Sequence, residues 1–574
     1  MGSALCTRDD DLTCCTQSTV HDCLFPLWAV KVSDFLKMRG PPEPHNVLQE
    51  QGLLHQWYPG MFVIFVSHQW LSSVHPDPKG QQVQVLQQAL QGIIDGTLDV
   101  HESIVARTDD KSLSDNLRRH VAAGFIFFDW LSIPQITARQ HGVNEETTKS
   151  DAVLAVQSIP AYVELSNMFI ALVPELLHKD SSALVNYATW LSRGWCRAEL
   201  WCRLLSNKAD NSVIVVYSAT EAEFMFPLDW QHNSIVEGNF TVEADRAQVV
   251  RLGEVAVESK IRHLQASGPL SQYRFYAALR PQLLNRPRED REVSKFLRDF
   301  RFDTWVDAVQ DQSNMNAVMC ATLSGDSGML RLLAKSHADM NHSLEGMSDL
   351  GYYDTQTALM AATKSRQEAS VLATLIECRA DVNGKARTGL PALYMCRSPE
   401  HVKLLLDLRA DMPHFALSGA ASFAGPETVQ ELLSHRCDPN KTGENRYHPL
   451  SAVALFSRGN CKAIESAKLL LAYRADVNAR TVLTGQLSWL CWAAQVKMSV
   501  LGFSNCNMFT RLGASMAGLS PLGYAALVGH EQLAQLYLDH GADSLPNERG
   551  DLPEDLARNN HHHHLLPSLA TFAT

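Results

Sequence analysis

Polar side chains that could bind or convert a ligand stand close to the apolar runs of the N-terminal half. They are Ser67, His68, Asp129, Ser132, Arg193 and Glu199. A histidine can accept a proton or contact a ligand, and an arginine near the start of a helix can hold a phosphate. Carboxylates such as Asp129 and Glu199 occur both in functional sites and in structural ion pairs. The set therefore indicates a candidate site assembled from distant parts of the sequence.

Three of these residues also have a structural interpretation, which the sequence leaves open. Arg203 follows Glu199 by four residues, the spacing and orientation of an ordinary ion pair within a helix. For His68 the sequence favours a buried, hydrogen-bonded structural histidine over a base or a ligand contact. Arg193 could simply pair with a surface carboxylate.

Four apolar runs must position these side chains. They are rich in β-branched and aromatic residues and span 61–66, 125–128, 168–173 and 213–217. Helix-like stretches at 82–94, 152–163 and 195–205 alternate with them. This rhythm predicts an α/β doubly wound parallel sheet whose strands are buried on both faces. In such a sheet the carboxyl ends of the strands form the ligand cleft, where the polar residues converge.

Three motifs of this half resemble the TIR-like group of domains, over roughly residues 60–220. They are Phe65-Val66-Ser67, Asp129, and Trp195-Cys196-Arg197-Ala198-Glu199-Leu200. The segments 129–135 and 193–199 are also similar to motifs of fungal heterokaryon-incompatibility domains. Trp195 and Cys196 are expected to pack in the core and to position the helix.

The resemblance implies a flavodoxin-like sheet with a pocket that cleaves NAD or processes a related nucleotide. In that pocket Glu199 engages the ribose hydroxyls and stabilises an oxocarbenium-like transition state. Ser67, His68, Asp129, Ser132 and Arg193 would bind the substrate. NAD would be a substrate, and no cofactor or metal is expected. Glycine-rich dinucleotide and P-loop fingerprints are missing from the sequence, which disfavours a dehydrogenase or a kinase.

The C-terminal half is repetitive. Leucine-rich stripes are followed by Ala-Asp or a close variant at 338–339, 380–381, 410–411, 437–438, 475–476 and 542–543. The copy at 518–543 resembles the ankyrin repeat, with Ser520-Pro521-Leu522, Gly529-His530 and Gly541-Ala542-Asp543 at the family's positions. The resemblance implies an all-α solenoid that binds a protein partner. Arg379, Arg409 and Arg474 stand where glycine is common.

The composition and charge limit the classes of partner and the compartment that are expected for this protein. The formal charge of −12 gives no overall attraction for nucleic acid, and no apolar run is long enough to span a membrane. Thirteen cysteines without regular spacing suit a reducing compartment, so a cytoplasmic protein is expected. Gly2 and Cys6 are a near miss to an N-terminal lipidation signal. Residues 561–564 are histidines, read here as a frayed terminus without a metal.

These observations predict a leader at 1–55, a TIR-like domain at 56–225, a helix-rich extension at 226–315, ankyrin repeats at 316–560 and a tail at 561–574. Two functions remain open. The chain is either an NAD-cleaving enzyme recruited or gated by its solenoid, or a catalytically silent scaffold for protein interactions. The first is a catalytic hypothesis and the second a binding one.

Overall fold

The protein is described by a computed structural model. The residues described are 23–102, 112–135, 145–225, 234–288, 290–352, 354–442, 447–457, 460, 462–503, 506, 508–560 and 562–570. They form two compact units that divide near residue 266, with an α/β sheet in the first and stacked helices in the second.

The first unit alternates strands and helices. Its strands are β1 Trp28–Lys31, β2 Leu54–Gln56, β3 Val63–His68, β4 Val100–Glu102, β5 Phe125–Phe128, β6 Met168–Leu172, β7 Leu176–Leu177, β8 Leu184–Val185, β9 Ile214–Ser218 and β10 Glu221–Phe224. Its helices are α1 Val32–Phe35, α2 His45–Glu50, α3 Gln81–Asp95, α4 Asp115–Ala123, α5 Asp129–Ser132, α6 Glu145–Gln157, α7 Ile159–Leu165, α8 Tyr187–Ser192, α9 Gly194–Leu204 and α10 Asp245–Ser267.

The centre of the sheet is parallel, as predicted, and its edges are not. The strand order is β2-β1-β5-β3-β6-β9-β10-β4, with β5, β3, β6 and β9 parallel. Strand β1 runs antiparallel to β5, and β10 runs antiparallel to β9. The four predicted strands are therefore parallel to one another, and the additional antiparallel strands, which were not predicted, make the sheet mixed. A short turn joins β9 to β10, which permits only a hairpin, whereas a parallel pair needs a long crossover.

The apolar runs form the parallel strands because both of their faces are covered. All six residues of β3 are buried. On one face Phe65 stacks between Phe127 and Phe169, with ring centroids 4.7 and 5.3 Å away. On the other face Ile64 and Val66 join the core cluster that includes α3. Part of the predicted leader also belongs to this sheet, since β1 and β2 lie within 28–56.

The second unit consists of helices in pairs. They are α11 Leu270–Leu283, α12 Val293–Phe300, α13 Trp305–Gln310, α14 Ala317–Leu323, α15 Ser327–Lys335, α16 Ala358–Lys364, α17 Ala369–Glu377, α18 Pro399–Asp407, α19 Ala416–Phe423, α20 Pro426–Ser434, α21 Pro449–Leu455, α22 Ala463–Ala472, α23 Gly485–Leu501, α24 Met508–Ser515, α25 Pro521–Val528, α26 Glu531–Asp539, α27 Pro553–Asn559 and α28 Leu566–Ala570. Strands β11 Ser343–Leu344 and β12 Gln356–Thr357 form a small hairpin, and 3-10 turns span Ser348–Leu350, Ala392–Met395 and His563–Leu565.

The pairs stack in two columns. The first helices of successive pairs pack as α14, α16, the 3-10 turn at Ala392–Met395, α19, α21, α25 and α27, and the second helices as α15, α17, α18, α20, α22 and α26. The predicted solenoid of helix pairs is thus confirmed. Residues 562–570 pack as well, because the ring of His562 is buried and lies 3.2 Å from the Leu527 carbonyl. The expected frayed terminus was wrong for them.

One turn recurs after the second helix of six pairs. The residue there takes a left-handed conformation, with φ of 64° at His337, 71° at Arg379, 66° at Arg409, 63° at Arg436, 64° at Arg474 and 82° at Gly541. This conformation lets the chain reverse and bond the last carbonyls of the helix, and glycine adopts it most easily. The arginines therefore keep the turn despite their side chains.

Asparagines join the turns into a ladder. The side-chain oxygens of Asn341, Asn383, Asn440 and Asn478 accept from the backbone N–H of an aspartate in the following repeat, at 2.6 to 2.8 Å. Each of their amide groups also donates to the carbonyl of the left-handed residue of that repeat. The repeated Ala-Asp signal therefore marks the structural joints of the solenoid.

Candidate functional site

The candidate site includes the last two residues of β3, Ser67 and His68, whose side chains lie on opposite faces of the sheet. Neighbouring side chains of a strand point to opposite faces. Accordingly, the side chain of Ser67 meets α9, and that of His68 meets α3 through Gln82. The site lies where the two faces meet at the carboxyl end of the strand.

On the first face, Ser67 holds Glu199. The hydroxyl of Ser67 donates to Oε2 of Glu199 at 2.5 Å and accepts from the indole N–H of Trp190 at 3.0 Å. Helix α9 carries Glu199 and begins at Gly194, where a Cβ would overlap the ring of Phe240. Close packing at this glycine fixes the start of the helix.

The environment of Glu199 favours its neutral form. Burial raises its pKa to about 8, and the nearby carboxylate of Asp129 acts in the same direction. The hydrogen bond from Ser67 and the charge of His68 act in the opposite direction without cancelling the effect. At neutral pH most Glu199 side chains therefore carry a proton.

On the second face, His68 and Asp129 form an ion pair. Nε2 of His68 lies 2.8 Å from Oδ1 of Asp129, and Nδ1 lies 3.1 Å from Oε1 of Gln82. The indole N–H of Trp70 donates to the other carboxylate oxygen of Asp129 at 2.8 Å. Burial opposes the charge on both partners, but their mutual attraction prevails, so the pKa of His68 is raised and that of Asp129 lowered.

Only part of this cluster is open to a ligand. Ser67 and His68 are buried, whereas the side chain of Asp129 is 32% exposed and Glu199 is half-buried. Ser67 and His68 thus position the two carboxylates from behind. Asp129 and Glu199 present a charged and a largely neutral carboxyl group to the same end of β3.

The other predicted residues have structural partners. The buried hydroxyl of Ser132 accepts from the backbone N–H of Phe128 at 3.2 Å, which closes the turn after β5. Arg193 donates to the hydroxyl of Thr241 at 2.5 Å. The structure therefore brings Ser67, His68, Asp129 and Glu199 together, while Ser132 and Arg193 hold neighbouring turns.

The alternative of a helix ion pair between Glu199 and Arg203 does not fit the geometry. The guanidinium of Arg203 is buried and donates to the backbone carbonyls of Ser212, Ser166 and Asn167. Cys196 is buried, in line with its predicted core position, whereas half-buried Trp195 donates to Asp245 at 3.2 Å.

Three side chains beside the candidate site were not predicted from the sequence. Trp70, Gln82 and Trp190 each hydrogen-bond one of the four central side chains. A signal existed for Trp70, since it lies two residues beyond His68. Gln82 and Trp190 reach the site only because α3 and α8 pack on opposite faces of the sheet, which the local sequence does not reveal.

Neither a membrane-spanning helix nor a metal site is found among the described residues. Within the described ranges, no helix is both long and apolar enough to cross a bilayer. The same ranges contain no group of three or more His, Cys, Asp or Glu side chains arranged to hold a metal ion. Gly2 and Cys6, the near miss to a lipidation signal, lie outside the described part of the chain.

Comparisons with known proteins find likenesses among solved structures. No family model matches the chain, and no curated protein matches it. The crystal structure of the human ASB11 ankyrin repeat domain is 19% identical, covers 44% of this chain and 96% of its own length, and superposes with a TM-score of 0.32. The solenoid assignment itself rests on the stacked columns, the left-handed turns and the asparagine ladder.

Proposed function

We propose that the first unit binds NAD or a related nucleotide at the end of β3 and cleaves its N-glycosidic bond. The observation that carries the proposal is the half-buried Glu199 carboxyl, held by Ser67 beside the Asp129–His68 pair. The order of the parallel strands supports it as well. Strand β3 lies between β5 and β6. The chain crosses from β3 to β5 on one side and then from β5 past β3 to β6 on the other, and ligands of doubly wound sheets bind where the strand order reverses in this way.

The chemistry needs a negative group beside the sugar. When the glycosidic bond breaks, nicotinamide leaves with the bonding electrons, and positive charge develops on the ribose until water attacks the same carbon. A fixed carboxylate lowers the energy of that charge. Glu199 would contact the ribose hydroxyls and supply this charge when ionised, and Asp129, whose pKa is lowered by His68, would add a second carboxylate.

Release of nicotinamide from NAD by the full chain tests this function. Glu199→Gln keeps the size of the side chain but removes its charge, so turnover is expected to fall about 100-fold or more. Glu164→Gln is the matched control, because burial raises the pKa of Glu164 too and that residue accepts from the Asn207 backbone N–H, away from the site. Equal turnover of wild type and Glu199→Gln would contradict the catalytic role.

We propose further that the solenoid binds a protein partner. Stacked repeats expose a long continuous surface, and this is their usual use. A partner captured by the full chain should also be captured by residues 267–574. Capture by residues 1–266 alone would reverse the assignment. If no variant or fragment of the protein cleaves NAD but the partner is still captured, the chain is better described as a catalytically silent scaffold.

A further inference from the structure

Helix α23 exposes an unusual amount of apolar surface. Trp489, Trp492, Val496 and Val500 are 64%, 58%, 44% and 78% exposed, and Leu490 is 53% exposed. The helix packs on α24, with Cys491 and Met498 as its buried residues. Exposed apolar clusters of this size mark interaction sites on soluble proteins.

The solenoid does not use this surface. Although α23 and α24 lie between α22 and α25 in sequence, α25 packs directly on α21, and α26 on α22. The asparagine ladder also continues past them, since Asn478 donates to Asp543 at 2.9 Å and accepts from the Asp543 backbone N–H at 2.8 Å. The repeats therefore stack without α23, and its outward face remains available.

The outward face has the pattern of a helix-pairing seam. Trp489, Ala493, Val496 and Val500 follow one another at spacings of four, three and four residues, as in the apolar seam of a coiled coil. Lys497 is the one charged residue between 485 and 501. A surface that attracts anionic lipid would carry several basic residues, so the charge pattern favours another helix over a membrane.

We propose that α23 is a homodimerisation helix, which pairs antiparallel with α23 of a second copy of this chain. The seam is bulky at its N-terminal end and small at its C-terminal end. Antiparallel pairing places Trp489 against Val500 of the second copy and Ala493 against its Val496, whereas parallel pairing would oppose two tryptophans. Such a twofold contact uses the same surface on both copies.

The exposed area is sufficient for a dimer. The tryptophans and aliphatic side chains of this face expose on the order of 600 Å² of apolar surface per copy. A standard interface buries about 800 Å² per partner, of which a little over half is apolar.

The oligomeric state of the full chain tests the proposal. Light scattering across a concentration series should give a mass near twice 63.8 kDa for wild type. The double variant Trp489→Glu and Val500→Glu should give the monomer mass. Val306→Glu is the control, because Val306 is 59% exposed on a helix elsewhere in the second unit, and it should leave the dimer intact. Circular dichroism of each variant confirms that it is folded.

A photo-crosslinking residue at position 500 tests the direction of pairing. It should bond to the segment around Trp489 of a second copy, identified by mass spectrometry. Crosslinks from position 500 to position 500 would overturn the antiparallel arrangement. A wild type that stays monomeric at 100-fold dilution and at high concentration alike would overturn the proposal, and loss of vesicle binding in the double variant would then assign the face to lipid.

Discussion

Glu199 and Asp129 share one site but have opposite titration behaviour. Burial raises the pKa of Glu199 to about 8, whereas the pKa of Asp129 is lowered because His68 and Trp70 outweigh its burial. Environments that separate two carboxyl groups in this way commonly assign them different roles. Near neutral pH the permanent negative charge therefore belongs to Asp129, and the charge on Glu199 depends on pH.

This difference makes a prediction for the pH profile of nicotinamide release. If Glu199 supplies the catalytic charge, turnover should rise about tenfold per pH unit below pH 8 and level off above it, because only the ionised form acts. Ser67→Ala removes a hydrogen bond that lowers the pKa of Glu199, so the rise should move to higher pH. A flat profile from pH 6.5 to 8.5, with turnover lost in Asp129→Asn, would assign the charge to Asp129.

A second prediction concerns stability. Folding raises the pKa of Glu199 from 4.5 to about 8, so the folded state holds a proton that the unfolded state has lost between these values. The contribution of this group to the free energy of unfolding is therefore fully present below pH 4.5 and declines as pH rises to about 8. Urea unfolding of wild type and Glu199→Gln at several pH values measures it. The stability of wild type relative to the variant should fall over this window, and a constant difference would show that Glu199 is not shifted.

The residues of the site could be predicted, but their partners could not. Strand ends converge in any parallel sheet, so the positions of Ser67, His68 and Asp129 could be predicted from the apolar runs. Glu199 lies on a helix, and its place in the site was implied by the resemblance of residues 195–200 to the TIR-like group. Whether Glu199 bonds Ser67 or Arg203 depends on the rotation of α9 about its axis. Packing at Gly194 sets that rotation. The four-residue spacing alone, without the rest of the fold, favours the ion pair with Arg203.

At the scale of elements, the apolar runs predicted the buried parallel strands but not the antiparallel strands beside them. Strand β5 was predicted at its observed bounds, and β3 continues two residues further to include Ser67 and His68. The antiparallel strands β1 and β10 were not predicted, because each is only four residues long and takes its place through pairing, β1 with β5 and β10 with β9. The alternation of apolar runs and helix-like stretches therefore predicts the parallel centre of the sheet and not the strands that extend it.

The left-handed arginines lead to a prediction for the repeats. For a residue with a side chain, this conformation costs about 1–2 kcal/mol of folding free energy. Glycine avoids that cost, but its greater backbone freedom in the unfolded chain destabilises the folded state by about 0.5–1 kcal/mol. Arg379→Gly, Arg409→Gly and Arg474→Gly should therefore each stabilise the protein by roughly 0.5–1 kcal/mol, since these side chains are exposed. Chemical denaturation measures the gain. Arg→Ala at the same positions is the control and should show no gain; a loss in the glycine variants would mean that the arginine side chains stabilise the turns.

At the scale of the whole molecule, the candidate site and the repeats lie in different units. All the predicted site residues lie between 67 and 199 in the first unit, and the stacked pairs lie in the second. The solenoid could be predicted from the sequence because Ala-Asp recurs at many positions, and each copy supports the prediction of a repeat. The sheet has no such redundancy, and its long-range pairings are specified only by the folded structure.

This segregation predicts that the two proposed functions can be lost separately. Leu470 is fully buried in the core of α22, so Leu470→Ala should cost about 2–5 kcal/mol in the second unit and weaken partner capture. Nicotinamide release should persist in that variant at temperatures below its first unfolding transition, whereas Glu199→Gln should lose release and keep capture. Leu332→Ala, at a position 40% exposed, is the control for a leucine outside the core. Calorimetry, the release assay and capture on the same three proteins measure all of these effects. Loss of release in Leu470→Ala below its unfolding transition would show that the solenoid takes part in the reaction, and the enzyme would then have to be described as a property of the entire chain.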